Sequence, residues 1–107
     1  MTFAVKFTPG ARKDLRNIHD YIARNDSLEH ADNVARKIIE EALSLGTAPA
    51  RDAYPAELLA LGRHDVRQVF FKPYRILYKV RGETILIAVI ADGRRDMQSL
   101  LAGRLIS

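Results

Sequence analysis

Residues 8–46 read TPGARKDLRNIHDYIARNDSLEHADNVARKIIEEALSLG, and their periodicity decides the fold. Thr8 supplies a side-chain oxygen for a helix N-cap, and Pro9 suits the first helical position, where its missing N–H costs nothing. Ala11, Leu15, Ile18 and Ile22 then recur at spacings of 4, 3 and 4, one stripe of a helix running to about Asn25. Asp20 and Arg24 are placed for an i,i+4 ion pair on its outer face. Asn25-Asp26-Ser27 ends that helix and starts another, with Ser27 or Asp26 as cap. Ala31, Val34, Ala35, Ile38, Ile39, Ala42, Leu43 and Leu45 form a stripe too broad for a lone surface helix. Gly46 is expected to close it in the left-handed conformation. Two helices on so short a link form an antiparallel hairpin.

The flanks read as strands. Phe3, Val5 and Phe7 alternate with Ala4 and Lys6 ahead of the hairpin. After it, Pro49 and Pro55 interrupt regular structure, and Glu57-Leu58-Leu59-Ala60-Leu61 reads as a short helical turn or a packed loop. Arg67 to Phe71 is extended, Lys72-Pro73 turns the chain, and Tyr74 to Val80 alternates. Arg81-Gly82-Glu83 turns it again. Thr84 to Ile90 is apolar on both faces, as a central strand covered on each side would be. Asp92-Gly93 ends that strand, and Met97, Leu100 and Leu101 anchor a short last helix. The expected architecture is α+β: an N-terminal strand, the antiparallel helix hairpin, then a three-stranded antiparallel meander. The helices pack on one face of a mostly antiparallel sheet, within one domain over residues 1–107.

Composition narrows the chemistry. With no cysteine, disulfides, thiolate zinc sites and catalytic thiols are excluded. No apolar run approaches the roughly 18 residues of a membrane span, and the start lacks the pattern of a signal peptide. A cytoplasmic location is the expectation. The net charge of +4 is unevenly spread. Residues 1–62 carry 8 basic and 9 acidic side chains, residues 63–107 carry 9 and 4. The positive field belongs to the C-terminal part, and it suits either nucleic acid or an acidic protein segment.

The candidate site lies in that part. Alternation places Tyr74, Ile76 and Tyr78 on one face of their strand and Arg75, Leu77 and Lys79 on the other. Arg67 is expected near Arg75 across the hairpin, with Arg94 and Arg95 leaving the neighbouring strand. Converging guanidiniums of this kind hold a phosphodiester, but cleavage also needs an acid and a base. His19 and His30 fall in the helical hairpin as ordinary surface histidines, and His64 alone lies near the basic cluster. Asp92 and Asp96 flank the arginine pair and are expected to orient or neutralise it. Tyr74 and Tyr78 read first as packing residues. HExxH, EF-hand, GxxxxGK[ST] and GxGxxG patterns are all missing, so no metal or cofactor is expected.

Three segments carry a resemblance. Thr8-Pro9-Gly10-Ala11-x-x-Asp14-Leu15-x-x-Ile18-x-x-Tyr21-Ile22, Pro73-Tyr74-Arg75-Ile76-Leu77-Tyr78 and Gly93-Arg94-Arg95-Asp96 resemble the ParE/RelE superfamily of bacterial type II toxins. The resemblance implies a small toxin neutralised by a cognate ParD-like antitoxin with an acidic, extended C-terminal segment, which alone contacts operator DNA. It spans two branches. The RelE-like branch cleaves messenger RNA at the ribosome, and for it Arg67, Arg75 and Arg95 would be the phosphate clamps. That branch's C-terminal tyrosine falls on Leu101, and Arg67 is the only basic residue on its strand. Tyr21-Ile22 and the long hairpin look more like the ParE branch, which binds DNA gyrase. The resemblance therefore implies a gyrase-binding toxin without catalytic residues, meeting antitoxin or target through Arg67, Tyr74, Arg75, Tyr78, Arg94 and Arg95. The alternatives are the ribonuclease, or an inactive toxin kept as an antitoxin-binding co-repressor.

Overall fold

The computed structural model describes residues 2–49, 54–60 and 62–105. The elements run β1 (Ala4–Phe7), α1 (Pro9–Asn25), α2 (Leu28–Ser44), a 3₁₀ turn (Leu45–Thr47), α3 (Ala56–Leu59), β2 (Arg67–Phe71), β3 (Tyr74–Arg81), β4 (Thr84–Asp92) and α4 (Met97–Leu105). The sheet order is β1-β4-β3-β2, with β1 parallel to β4 and the other neighbours antiparallel. Of the Glu57–Leu61 segment, residues up to Leu59 are helical and Leu61 lies outside the described residues.

Both hairpin helices are capped as their sequences demand. The Ala11 amide donates to Thr8 Oγ1 at 3.1 Å, and the His30 amide donates to Ser27 Oγ at 3.0 Å. Across the hairpin His19 Nε2 meets Asp32 Oδ1 at 2.7 Å, and this bond raises the His19 pKa. The expected Asp20–Arg24 pair does not form; Asp20 Oδ1 lies 3.8 Å from His19 Nδ1 instead, a pairing that carries charge only when the imidazole is protonated. Gly46 departs from expectation too. It does not take a positive φ, since α2 tightens into the 3₁₀ turn instead of ending in a left-handed cap. Its lack of a side chain serves close approach: a Cβ there would lie 2.9 Å from the Phe3 carbonyl oxygen. The Phe3 amide donates to the Gly46 carbonyl at 2.7 Å, which closes the start of β1 onto the turn. Because the opposing atom is backbone, Gly46→Ala is expected to destabilise the fold by about 1.5 kcal/mol, read as a lower urea midpoint at unchanged slope.

Two cores sandwich the sheet. On one face Ala11, Ile38, Ala42 and Leu45 of the hairpin side meet Val69, Ile76, Tyr78, Ile85, Ile87 and Ile90. On the other, Leu58 of α3 and Met97 and Leu101 of α4 cover Val66, Leu77, Val89 and Ala91. The hairpin packs on one face as expected, and the two short helices add a cover over the opposite face. That second layer is why β4 is apolar on both sides.

One irregularity in β4 organises the N-terminal motif. Leu77 pairs with Val89 but Tyr78 pairs with Ile87, so Ala88 is the extra residue of a bulge. The bulge falls where β1 ends, leaving β4 backbone groups to be satisfied by other means. Asp14 Oδ2 accepts from the Ile90 amide at 3.0 Å, and the Ala88 carbonyl accepts from Thr8 Oγ1 at 3.4 Å and from Arg104 Nη2 at 2.9 Å. Arg104 also pairs with Asp14, at 2.9 and 3.1 Å. Gly10 lets that guanidinium pass, as a Cβ there would lie 2.6 Å from Arg104 Nη2. The Thr8-Pro9-Gly10-Ala11-x-x-Asp14 segment is thus the docking edge of α1 on the bulged strand, clamped from the far side by α4.

Candidate functional site

The six residues singled out above separate into two groups. Arg67, Arg75 and Tyr78 hold down the irregular segment between α2 and β2. Arg67 pairs with Tyr78 and Phe70 with Arg75, so Arg67 and Arg75 face opposite sides of the sheet. The expected proximity of the two arginines fails because their spacing across the hairpin is odd, and one residue of offset reverses the face. Arg67 instead lies over the Tyr54 ring, 4.5 Å from its centroid, and donates to the Tyr54 hydroxyl at 3.0 Å. Tyr54 in turn meets His64 edge-on at 5.6 Å, which makes His64 part of this stack rather than of a basic cluster. Tyr78 is fully buried and its hydroxyl donates to the Pro49 carbonyl at 2.8 Å.

Arg75 is the most constrained of the three. Its side chain is 10% exposed, and Nη1 and Nη2 donate to the two carboxylate oxygens of Glu57 at 2.8 Å each. Nε and Nη2 also donate to Gln68 Oε1 at 2.9 and 2.6 Å. This is the bidentate fork that suits a guanidinium to a carboxylate. The guanidinium holds the Glu57 carboxyl down at about 2, against a modest opposing push from burial. α3 is therefore latched to the outer face of β3 by one ion pair and the buried Leu58.

Tyr74, Arg94 and Arg95 form the second group. Together with Asn17, Ile18, Tyr21 and Ile22 of α1 they line a groove of about 470 Å³ at the carboxyl end of β4. Its floor is apolar, Ile18, Ile22, Ile90 and Ala91, and Tyr21 stands at its lip 65% exposed. A second depression, holding His30, Lys37, Lys72 and Pro73, adjoins it through Ile22 and Tyr74. Burial raises the Tyr74 pKa, with a smaller contribution from Asp92. Asp92 orients Arg94 through bonds at 3.0 and 2.6 Å, and Arg94 lowers the Asp92 pKa. Asp96 does other work. It caps α4, accepting from the Ser99 amide at 3.2 Å and the Ser99 hydroxyl at 2.8 Å, because it sits one residue before the helix start. Leu101 is 1% exposed in the second core.

Glu57, Gln68, Tyr54 and Tyr21 were not among the sequence candidates. Nothing local marks the first three, whose partners lie 7 to 18 residues away. Tyr21 did carry a signal: an aromatic residue on the polar side of an amphipathic helix, next to the buried Ile22.

A helix hairpin on a four-stranded sheet is the fold this chain shares with solved proteins of type II toxin–antitoxin systems. Within it the chain belongs to the family described as ParE toxin of type II toxin-antitoxin system, parDE, whose model matches residues 5–97. Among solved structures the chain resembles the chromosomal ParDE system of P. aeruginosa at 23% identity and a TM-score of 0.73, covering 85% of this chain and 96% of that one. It also resembles the RelBE2 toxin–antitoxin complex of Mycobacterium tuberculosis, at 20% identity and a TM-score of 0.62, covering 86% and 99%. An arginine double mutant of the E. coli toxin RelE in the free state shares 15% identity over the full length of both chains, with a TM-score of 0.60. No curated protein matches the chain. Among the described residues no helix is long and apolar enough to cross a membrane.

Proposed function

We propose that this type II toxin arrests growth by binding DNA gyrase in the cytoplasm and is neutralised by a ParD-like antitoxin. Operator DNA is reached only through that antitoxin. One observation carries the choice of target: Arg75, a clamp that messenger-RNA cleavage would need, is spent inside the fold on Glu57 and Gln68. A buried guanidinium already holding a carboxylate gains little from a phosphate, since the incoming anion must first displace a desolvated, bidentate partner. Leu101 offers no proton where the cleaving branch has a tyrosine. What remains open is a binding surface, the Tyr21–Tyr74 groove with its arginine lip. An aromatic pair around an apolar floor with arginines at the margin has the composition of an interface anchor.

The test is a supercoiling assay with purified toxin and gyrase. Inhibition at stoichiometric toxin, reversed by antitoxin, is the expected result. Cleavage of messenger RNA in a translating extract, with supercoiling untouched, would establish the ribonuclease instead. A toxin inert in both assays that still binds its antitoxin would favour the co-repressor.

A further inference from the structure

The groove lip does not exhaust the positive field of the C-terminal part. β3 runs on past the latch to Lys79 and Arg81, which share a face with Leu77. The helical cover of that face reaches Leu77, Val89 and Ala91 but not these two cations. Lys79 pairs with Leu86 on β4, Arg81 with Thr84, and Leu86 in turn with Lys6 on β1. Ile85 and Ile87 are buried against the hairpin, so Leu86 lies on the opposite face, with Lys79 and Arg81. Arg104 reaches the same place from α4. Lys79, Arg81 and Arg104, with Thr8, Leu86 and Ala88, line a depression of about 360 Å³.

The charge of this face is only partly compensated. No carboxylate is found among the described residues that line the depression. Asp14 is bound to Arg104 and to the Ile90 amide. Asp65 holds Arg63 at 2.7 Å and reaches Lys79 only at 3.8 Å. Arg81 makes no ion pair among the described residues, nor does the exposed Glu83 of the adjoining turn. Lys79 and Arg81 stand about 7 Å apart along β3, and Lys6 lies about 10 Å from Lys79 across two strand spacings.

We propose that this basic sheet face binds the phosphate backbone of duplex DNA. Three properties select that occupant. β3 and β4 are interior strands paired along both edges, so they offer a peptide no backbone groups and only the cations are available. Leu86 and Ala88 supply the apolar lining among the described residues, too small an anchor for a protein interface. No aromatic ring is found among those residues to carry an unstacked base, which argues against a single strand. Cations that meet phosphates position a duplex without reading it, so sequence-specific recognition of the operator stays with the antitoxin. The inference goes beyond gyrase binding and does not depend on it.

Fluorescence anisotropy of a short labelled duplex of random sequence, titrated with the purified toxin in the absence of gyrase, tests it. Three phosphate contacts give a slope of log affinity against log salt of about −2.7, a loss of about 40-fold between about 50 and 200 mM salt. Lys79→Ala combined with Arg81→Ala should weaken binding at low salt by at least about tenfold and flatten the slope to about −1. Arg81→Ala alone, at an exposed position, should give about half of that change in slope and leave the circular dichroism spectrum unaltered. Lys37→Ala combined with Lys72→Ala removes the same charge from the hairpin side and should leave the affinity within about twofold. Equal losses from the two pairs would assign the binding to net charge and overturn the site. So would the lack of any binding at about 50 mM salt, where such contacts are strongest. Tighter binding of a single strand of the same sequence, or of polyglutamate of equal charge, would assign the face to another occupant and overturn the proposal as well.

Discussion

Glu57→Gln is expected to destabilise the protein by about 3 kcal/mol at neutral pH, roughly 12 °C in melting temperature for a chain of this size. Two routes lead to that figure. The carboxyl is held at about 2 against an ordinary value of 4.5, and that gap, at about 1.4 kcal/mol per pH unit, is the folded state's preference for the anion. Breaking a buried ion pair independently costs about 3–5 kcal/mol, and the 28% exposure of the Glu57 side chain places this pair at the low end. The pH dependence follows from the sign of the shift. A lowered folded pKa contributes stability that is fully present above 4.5 and disappears as pH falls through about 2. Urea midpoints measured from pH 6 down to 2.5 should therefore drop steeply in the native protein and far less in Glu57→Gln. Arg75→Met leaves the carboxylate without its partner and should be comparably destabilising. Replacing both residues by apolar ones should cost less than either alone, and a double-mutant cycle measures the difference. Equal stability of Glu57→Gln and the native protein would mean that α3 is held by Leu58 alone.

The distinction between a latch and a clamp was beyond the sequence. The hairpin helices, the three meander strands and the last helix were legible because each depends on local periodicity and capping that a short window contains. The bulge at Ala88 was not, since it answers to where β1 stops rather than to any residue of β4 itself. The second core was half legible. A strand apolar on both faces announces two covers, but the helices that supply the outer one are a single turn and a nine-residue segment. The partners of the site residues were not legible. Arg67 and Arg75 read as candidate phosphate clamps and Tyr78 first as a packing residue, and in the structure the three meet Tyr54, Glu57 and Pro49 within the fold. Those partners lie in the proline-broken stretch, where no periodicity reports how the chain folds back. The grouping of Tyr74 with Arg94 and Arg95 was not read from the sequence; it follows from the pairing of Tyr74 with Asp92 across β3 and β4, which brings the end of β4 to the groove.

Charge reversal at the groove lip separates the docking surface from the latch. On the gyrase-binding function proposed above, Arg95→Glu should weaken that binding by roughly 100-fold in physiological salt, because it removes an exposed cation at the groove margin and places an anion beside Asp92. Arg94→Glu should cost less, since Arg94 is already half-neutralised by its 2.6 Å contact with Asp92. Both are exposed, so neither should alter stability beyond about 0.5 kcal/mol. Tyr21→Ala removes an aromatic anchor and should weaken binding as strongly as Arg95→Glu, but without the salt dependence that a charge contributes. Inhibition of supercoiling across a salt series tells the two contributions apart: the Arg95→Glu deficit should shrink as ionic strength rises, while the Tyr21→Ala deficit persists. A toxin that inhibits gyrase as well with Arg95→Glu and Tyr21→Ala as without them would move the target surface away from this groove. The stability data would still hold in that case, since the latch between Glu57 and Arg75 lies on the other face of β3 from Tyr74 and answers to different partners.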